Sequence, residues 1–78
     1  MWKFKSVRAM LRSISPVKAK KLLDGCELPE DEFIIILEHD IRQKNLQALA
    51  DFLGMSYPTV KRKHKTALKK IYDTLMNL

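Results

Sequence analysis

Six cationic side chains, Lys61, Arg62, Lys63, Lys65, Lys69 and Lys70, fall within ten residues of the C-terminal third. Ammonium and guanidinium groups donate hydrogen bonds and accept none, so a surface that gathers them suits a polyanion. Spacing decides whether they are gathered. With Val60 at zero and about 100° per residue, Val60, His64, Ala67, Leu68 and Ile71 fall within about 100° and form a buried stripe. Pro58, Arg62, Lys65 and Lys69 point the opposite way, with Lys61 and Thr66 on either flank. No carboxylate interrupts that face before Asp73. A helix made polar only for solubility mixes signs and sets Glu four residues from Lys. The one-signed face fits contact with duplex DNA better.

Other reactive residue types are sparse. Cys26 is the single cysteine, so no internal disulfide is expected and a reducing cytoplasm is the natural setting. It follows Asp24, which raises rather than lowers a thiol pKa, and it reads as a small apolar residue. His39 and His64 are the only imidazoles. Glu38, His39 and Asp40 stand in a row, but adjacent helical residues splay about 100° apart and do not close on one ion, so no metal is expected. His64 lies on the apolar stripe and calls for a hydrogen-bond partner, either backbone or a carboxylate of the acidic segment. Glu27, Glu30, Asp31 and Glu32 read as a solvated first helical turn rather than an acid/base pair. No Gly-rich phosphate loop and no nucleophile–base set is present, so neither an enzyme nor a cofactor is expected.

Helices must position these residues. Only two glycines occur and apolar residues recur at helical rather than alternating spacing, so the expected class is all-α with about five helices. The first covers roughly residues 3–13, with Val7, Met10, Leu11 and Ile14 on one stripe and the bulky Trp2 and Phe4 at its start. Ser15 caps a short second helix that Pro16 opens, with Gly25 expected in the left-handed position past its end. Pro29 opens the third, where Glu30, Asp31 and Glu32 meet the positive end of the helix dipole. Phe33, Ile34, Leu37 and Ile41 follow helical spacing, and Ile35 and Ile36 widen the apolar face. Asn45 caps the fourth, which buries Leu46, Leu49, Ala50 and Leu53 and ends at Gly54. Ser56 caps the fifth, which runs to about residue 76.

The chain has 78 residues, enough for one domain with a thin core. Its net charge of +6 is segregated. Residues 1–23 hold seven Lys/Arg and no acid, residues 24–40 seven acids and no Lys/Arg, and residues 55–78 six Lys/Arg and one acid. Residues 1–27 read as a basic helical segment that packs or dimerises, and residues 28–78 as the DNA-binding core. The start of the chain is too interrupted by charge for a signal peptide. The longest apolar run, from Phe33 to Leu37, is far too short to span a membrane.

From Leu28 to Ile71 the chain resembles region four of bacterial sigma factors and its small standalone bacterial and phage relatives. The resemblance rests on Leu28-Pro29 opening a helix, Leu49-Ala50 and Leu53-Gly54 around a turn, Ser56, Thr59-Val60, and the basic run Ala67-Leu68-Lys69-Lys70-Ile71. It covers somewhat over half the chain. The family carries Leu or Ile where this chain has His64, and nothing like the rest of a sigma factor precedes Leu28, so promoter initiation is not expected. The resemblance implies a tri-helical helix-turn-helix core, with the two N-terminal helices packed on it. The start of the fifth helix would enter the major groove while the fourth crosses the backbone. Arg62 is then the first candidate for reading a guanine edge, followed by Lys61, Lys65 and Thr59. Tyr57 and Pro58 would meet a thymine methyl or a sugar, and Thr66 would flank the contact. The amides near Asn45 and Ser56 suit phosphates, as do Lys63, Lys69 and Lys70.

The expected function is sequence-specific binding of double-stranded DNA by a bacterial or phage transcription regulator. Homodimerisation through residues 1–27 would pair two half-sites. Two rivals remain: an adaptor or inhibitor that binds RNA polymerase, or a phage packaging component, without reading DNA. A basic amphipathic membrane-surface helix at residues 2–14 explains the early lysines and nothing else, so no membrane partner is expected.

Overall fold

A computed structural model describes the backbone of residues 4–77 and the side chains of residues 5–77. Trp2 and the side chain of Phe4, both expected to pack, lie outside the described residues. Five helices form: α1 (Phe4–Ser13), α2 (Pro16–Gly25), α3 (Glu30–Ile35), α4 (Leu46–Leu53) and α5 (Tyr57–Met76). A π-helical segment, Ile36–Ile41, continues α3. Its wider turn shows in the bond from the Arg42 amide to the Leu37 carbonyl, five residues back, at 3.0 Å. Nothing in the local sequence announces it.

Local chemistry sets the helix ends. The side chains of Ser15, Asn45 and Ser56 accept the amides of Lys18, Gln47 and Thr59, satisfying donors that have no partner within the helix. Pro29 stands just before α3 as its N-cap rather than in its first turn. Gly54 adopts φ 68°, where a side chain would be strained. The Met55 amide reaches the Ala50 carbonyl at 2.9 Å and the Gly54 amide reaches that of Asp51 at 3.3 Å. These two bonds close the end of α4 and turn the chain into α5 within three residues. Gly25 departs from expectation. It stays inside α2, and the left-handed residues are instead Glu27 (φ 53°) and Gln43 (φ 61°).

Tertiary packing buries one stripe from each helix. Val7 and Leu11 of α1, Ala19 and Leu23 of α2, Ile36, and Ala67, Leu68 and Ile71 of α5 form the main core. The two N-terminal helices therefore share a core with the rest of the chain across residues 27 and 28. Ile35, Ala50 and Val60 form a second cluster, edged by Leu46, Leu53 and Met55. Of the apolar residues of the third helix, Ile35 and Ile36 are the fully buried pair, while Phe33, Ile34, Leu37 and Ile41 are only half-buried. The helix is covered on both sides: Ile35 packs with Ala50 of α4 and Val60 of α5, and Ile36 packs into the main core with α1, α2 and α5. Among the described residues no helix is long and apolar enough to cross a membrane.

Candidate nucleic-acid interface

α5 has two unlike faces because its sequence alternates them at helical spacing. Val60, His64, Ala67, Leu68 and Ile71 are all buried. Lys61, Arg62, Lys65, Thr66 and Lys69 are all exposed, together with Tyr57 and Pro58 at the helix start. The Lys61 ammonium stands over the Tyr57 ring, 5.6 Å from its centroid. That contact keeps a cation and an aromatic edge side by side at the N-terminal turn.

The six cations divide by their partners. Lys63 bonds Asp31 at 2.8 Å, and Lys70 bonds Glu32 at 3.1 Å, so the acidic first turn of α3 neutralises the inner flank of α5. The Lys63 bond is the main cause that holds the Asp31 carboxyl below its ordinary range. Lys69 pairs with Asp73 at 3.0 Å on the open surface, a contact that water screens. Among the described residues no carboxylate lies within ion-pair distance of Lys61, Arg62 or Lys65. Lys63 and Lys70, expected to meet phosphates or water, are thus drawn off by α3.

The other expected contact residues sit at helix starts. Asn45 and Ser56 spend their side chains on capping. The Thr59 hydroxyl is engaged as well, 2.8 Å from that of Ser56. Ser56, Tyr57, Thr59, Lys61, Arg62 and Lys65 occupy the first turns of α5, while Asn45 stands apart at the start of α4.

A second constellation lies beneath this face. Asp40 is fully buried, with Oδ1 accepting from Arg8 Nε at 2.9 Å and Oδ2 from His64 Nε2 at 2.6 Å. Burial pushes the Asp40 carboxyl up, but the bonds from His64 and then Arg8 outweigh it and leave it below its ordinary range. This hydrogen bond explains why a polar ring occupies the dry stripe of α5. The expected carboxylate of the acidic segment is Asp40. His39 adds its ring edge-on to His64, with centroids 5.1 Å apart. The sequence reading weighed Glu38, His39 and Asp40 within one helix and did not bring in His64, which α5 places beside His39 and Asp40. Arg8 was missed entirely. The only trace of its role is one charge beside the apolar Val7 and Leu11, thirty-two residues from its partner.

Comparison with protein-family models, curated proteins and solved structures finds no match to this chain.

Proposed function

We propose that the chain binds double-stranded DNA in a sequence-dependent manner, as a transcription regulator of bacterial or phage origin with a helix-turn-helix like that of sigma region four. The observation that carries this reading is the exposed, carboxylate-free set Lys61, Arg62 and Lys65 on α5, beyond the tight Gly54 turn. On the outer face Lys69 pairs with Asp73, but Lys61, Arg62 and Lys65 at the start of the helix face solvent while Lys63 and Lys70 are drawn onto α3. In this reading α5 enters the major groove with Arg62 forked onto a guanine, Lys61 and Lys65 beside it, and Tyr57 and Thr66 at the edges. Amides at the starts of α4 and α5 meet phosphates. A cytoplasmic setting accords with the free thiol of Cys26. Selection from a random duplex pool tests the reading. It should return a recurrent short motif, and paired motifs about 34 Å apart if two copies bind together. An unenriched pool contradicts it.

One observation favours a second reading, binding to RNA polymerase without DNA contact. Phe52 of α4 is 79% exposed and edges a groove lined by Ile34, Ala48 and Leu49. With purified bacterial RNA polymerase, that reading predicts binding that Phe52→Ser abolishes and Arg62→Ala leaves intact.

A further inference from the structure

Arg8 Nε holds Oδ1 of Asp40 and leaves Oδ2 turned to His64. His39 Nδ1 lies 2.6 Å from the Lys44 carbonyl. A carbonyl only accepts, so Nδ1 carries the proton and Nε2 keeps the lone pair. One ligand atom from each of His39, Asp40 and His64 lies within 4.8 Å of the other two. From these contacts we propose that the three residues form a binding site for a divalent transition-metal ion of the zinc class.

The donor set suits that class. Two imidazoles and one carboxylate are ligands for zinc, cobalt and nickel, while magnesium and calcium prefer oxygen alone. The outer atoms are already fixed in the way metal ligands require. The Lys44 carbonyl sets the tautomer of His39, and the Arg8 guanidinium anchors the far oxygen of Asp40. The geometry needs small movements only. Tetrahedral zinc with bonds near 2.1 Å places its ligand atoms about 3.4 Å apart. The His64–Asp40 pair at 2.6 Å opens by less than an ångström, and His39 swings in from its half-exposed position. The ion takes the place of the proton between His64 Nε2 and Asp40 Oδ2, and that proton passes to His64 Nδ1 by way of solvent. Water completes the coordination from the His39 side. The bound ion joins the π-helical segment to α5, with α1 held on through Arg8. This inference stands apart from DNA binding, since the free protein alone displays it.

Cobalt(II) titrated into the full, untagged chain should give visible ligand-field bands that saturate at one ion per chain. Zinc should raise the melting temperature in the same stoichiometry. His39→Ala lies outside the core and should leave the helical circular dichroism unchanged while weakening cobalt binding at least about tenfold. Cys26→Ser should leave both signals as they are. Absence of the bands and of any thermal shift at millimolar metal overturns the proposal. So does binding that survives His39→Ala at full strength or disappears with Cys26→Ser.

Discussion

Arg62 and Lys63 are neighbours in sequence and differ in every physical respect that matters here. Lys63 turns inward onto Asp31, whereas Arg62 faces solvent with five donors and no described carboxylate beside it. Arg62→Ala should therefore flatten the preference among duplex sequences, by about 1–3 kcal/mol at the base it reads. Lys63→Ala should change affinity little, because its charge is already spent on α3. Competition binding with single-base variants of the selected site checks both. Asp40 makes a different prediction. Its carboxyl titrates below the ordinary value, so its contribution to stability is fully present above that value and is lost as pH falls through the lowered one. Asp40→Asn should flatten the acid limb of the stability curve below about pH 4. Asp40→Ala should cost about 3 kcal/mol at neutral pH, since it leaves the buried His64 and the part-buried Arg8 without their shared partner. Urea unfolding across pH measures both effects.

The glycine pair isolates what the backbone contributes to the helices. Neither Gly25 nor Gly54 has an atom within 4 Å of where a Cβ would stand, so packing is not at issue at either position. Gly54 is left-handed, and Gly54→Ala should destabilise by about 1–2 kcal/mol. Gly25 is helical, and Gly25→Ala should stabilise by about 0.5–1 kcal/mol. Opposite shifts in melting temperature are the expected outcome. The same pair shows where sequence reading succeeds and where it stops. Gly54 was legible because it follows the apolar spacing of Leu46, Leu49, Ala50 and Leu53 and precedes the Ser56 cap, where a helix-ending glycine belongs. Gly25 offers the same residue type before a polar stretch, yet Glu27 takes the left-handed conformation, because the shared core, not local preference, fixes where α2 stops. The stripe of α5 was legible for its period. The π-helical segment was not, since five-residue bonding leaves no mark on residue types. Arg8 was hidden because its partner is set by tertiary packing. The inward-facing lysines were hidden for the same reason: periodicity gives a residue's angle on its own helix and not the acid that another helix brings beside it.

At the scale of the molecule, charge segregation in the sequence becomes charge pairing in the fold. The acidic block supplies Asp31 and Glu32 to the inner flank of α5 and Asp40 to Arg8 of the early basic block. What remains outward is the Lys61, Arg62 and Lys65 surface of α5, together with Lys5, Arg12, Lys18, Lys20 and Lys21 of the first two helices. The N-terminal apolar stripe, which offered a dimer face in sequence, has Val7 and Leu11 buried within the chain and Met10 and Ile14 packed against the same core. In the proposed reading one copy presents a small cationic surface on α5, and its affinity for DNA should be modest and strongly dependent on salt. The most direct measurement is the affinity for a mixed-sequence duplex across salt concentrations, for the native chain and for an Arg62→Ala, Lys65→Ala double variant. With about four to six phosphates neutralised, log affinity should fall against log salt with a slope of about −4 to −5. The double variant should bind more weakly at every salt and with a shallower slope. Duplex binding that is absent at low salt, or that the double variant reproduces in full, contradicts the account.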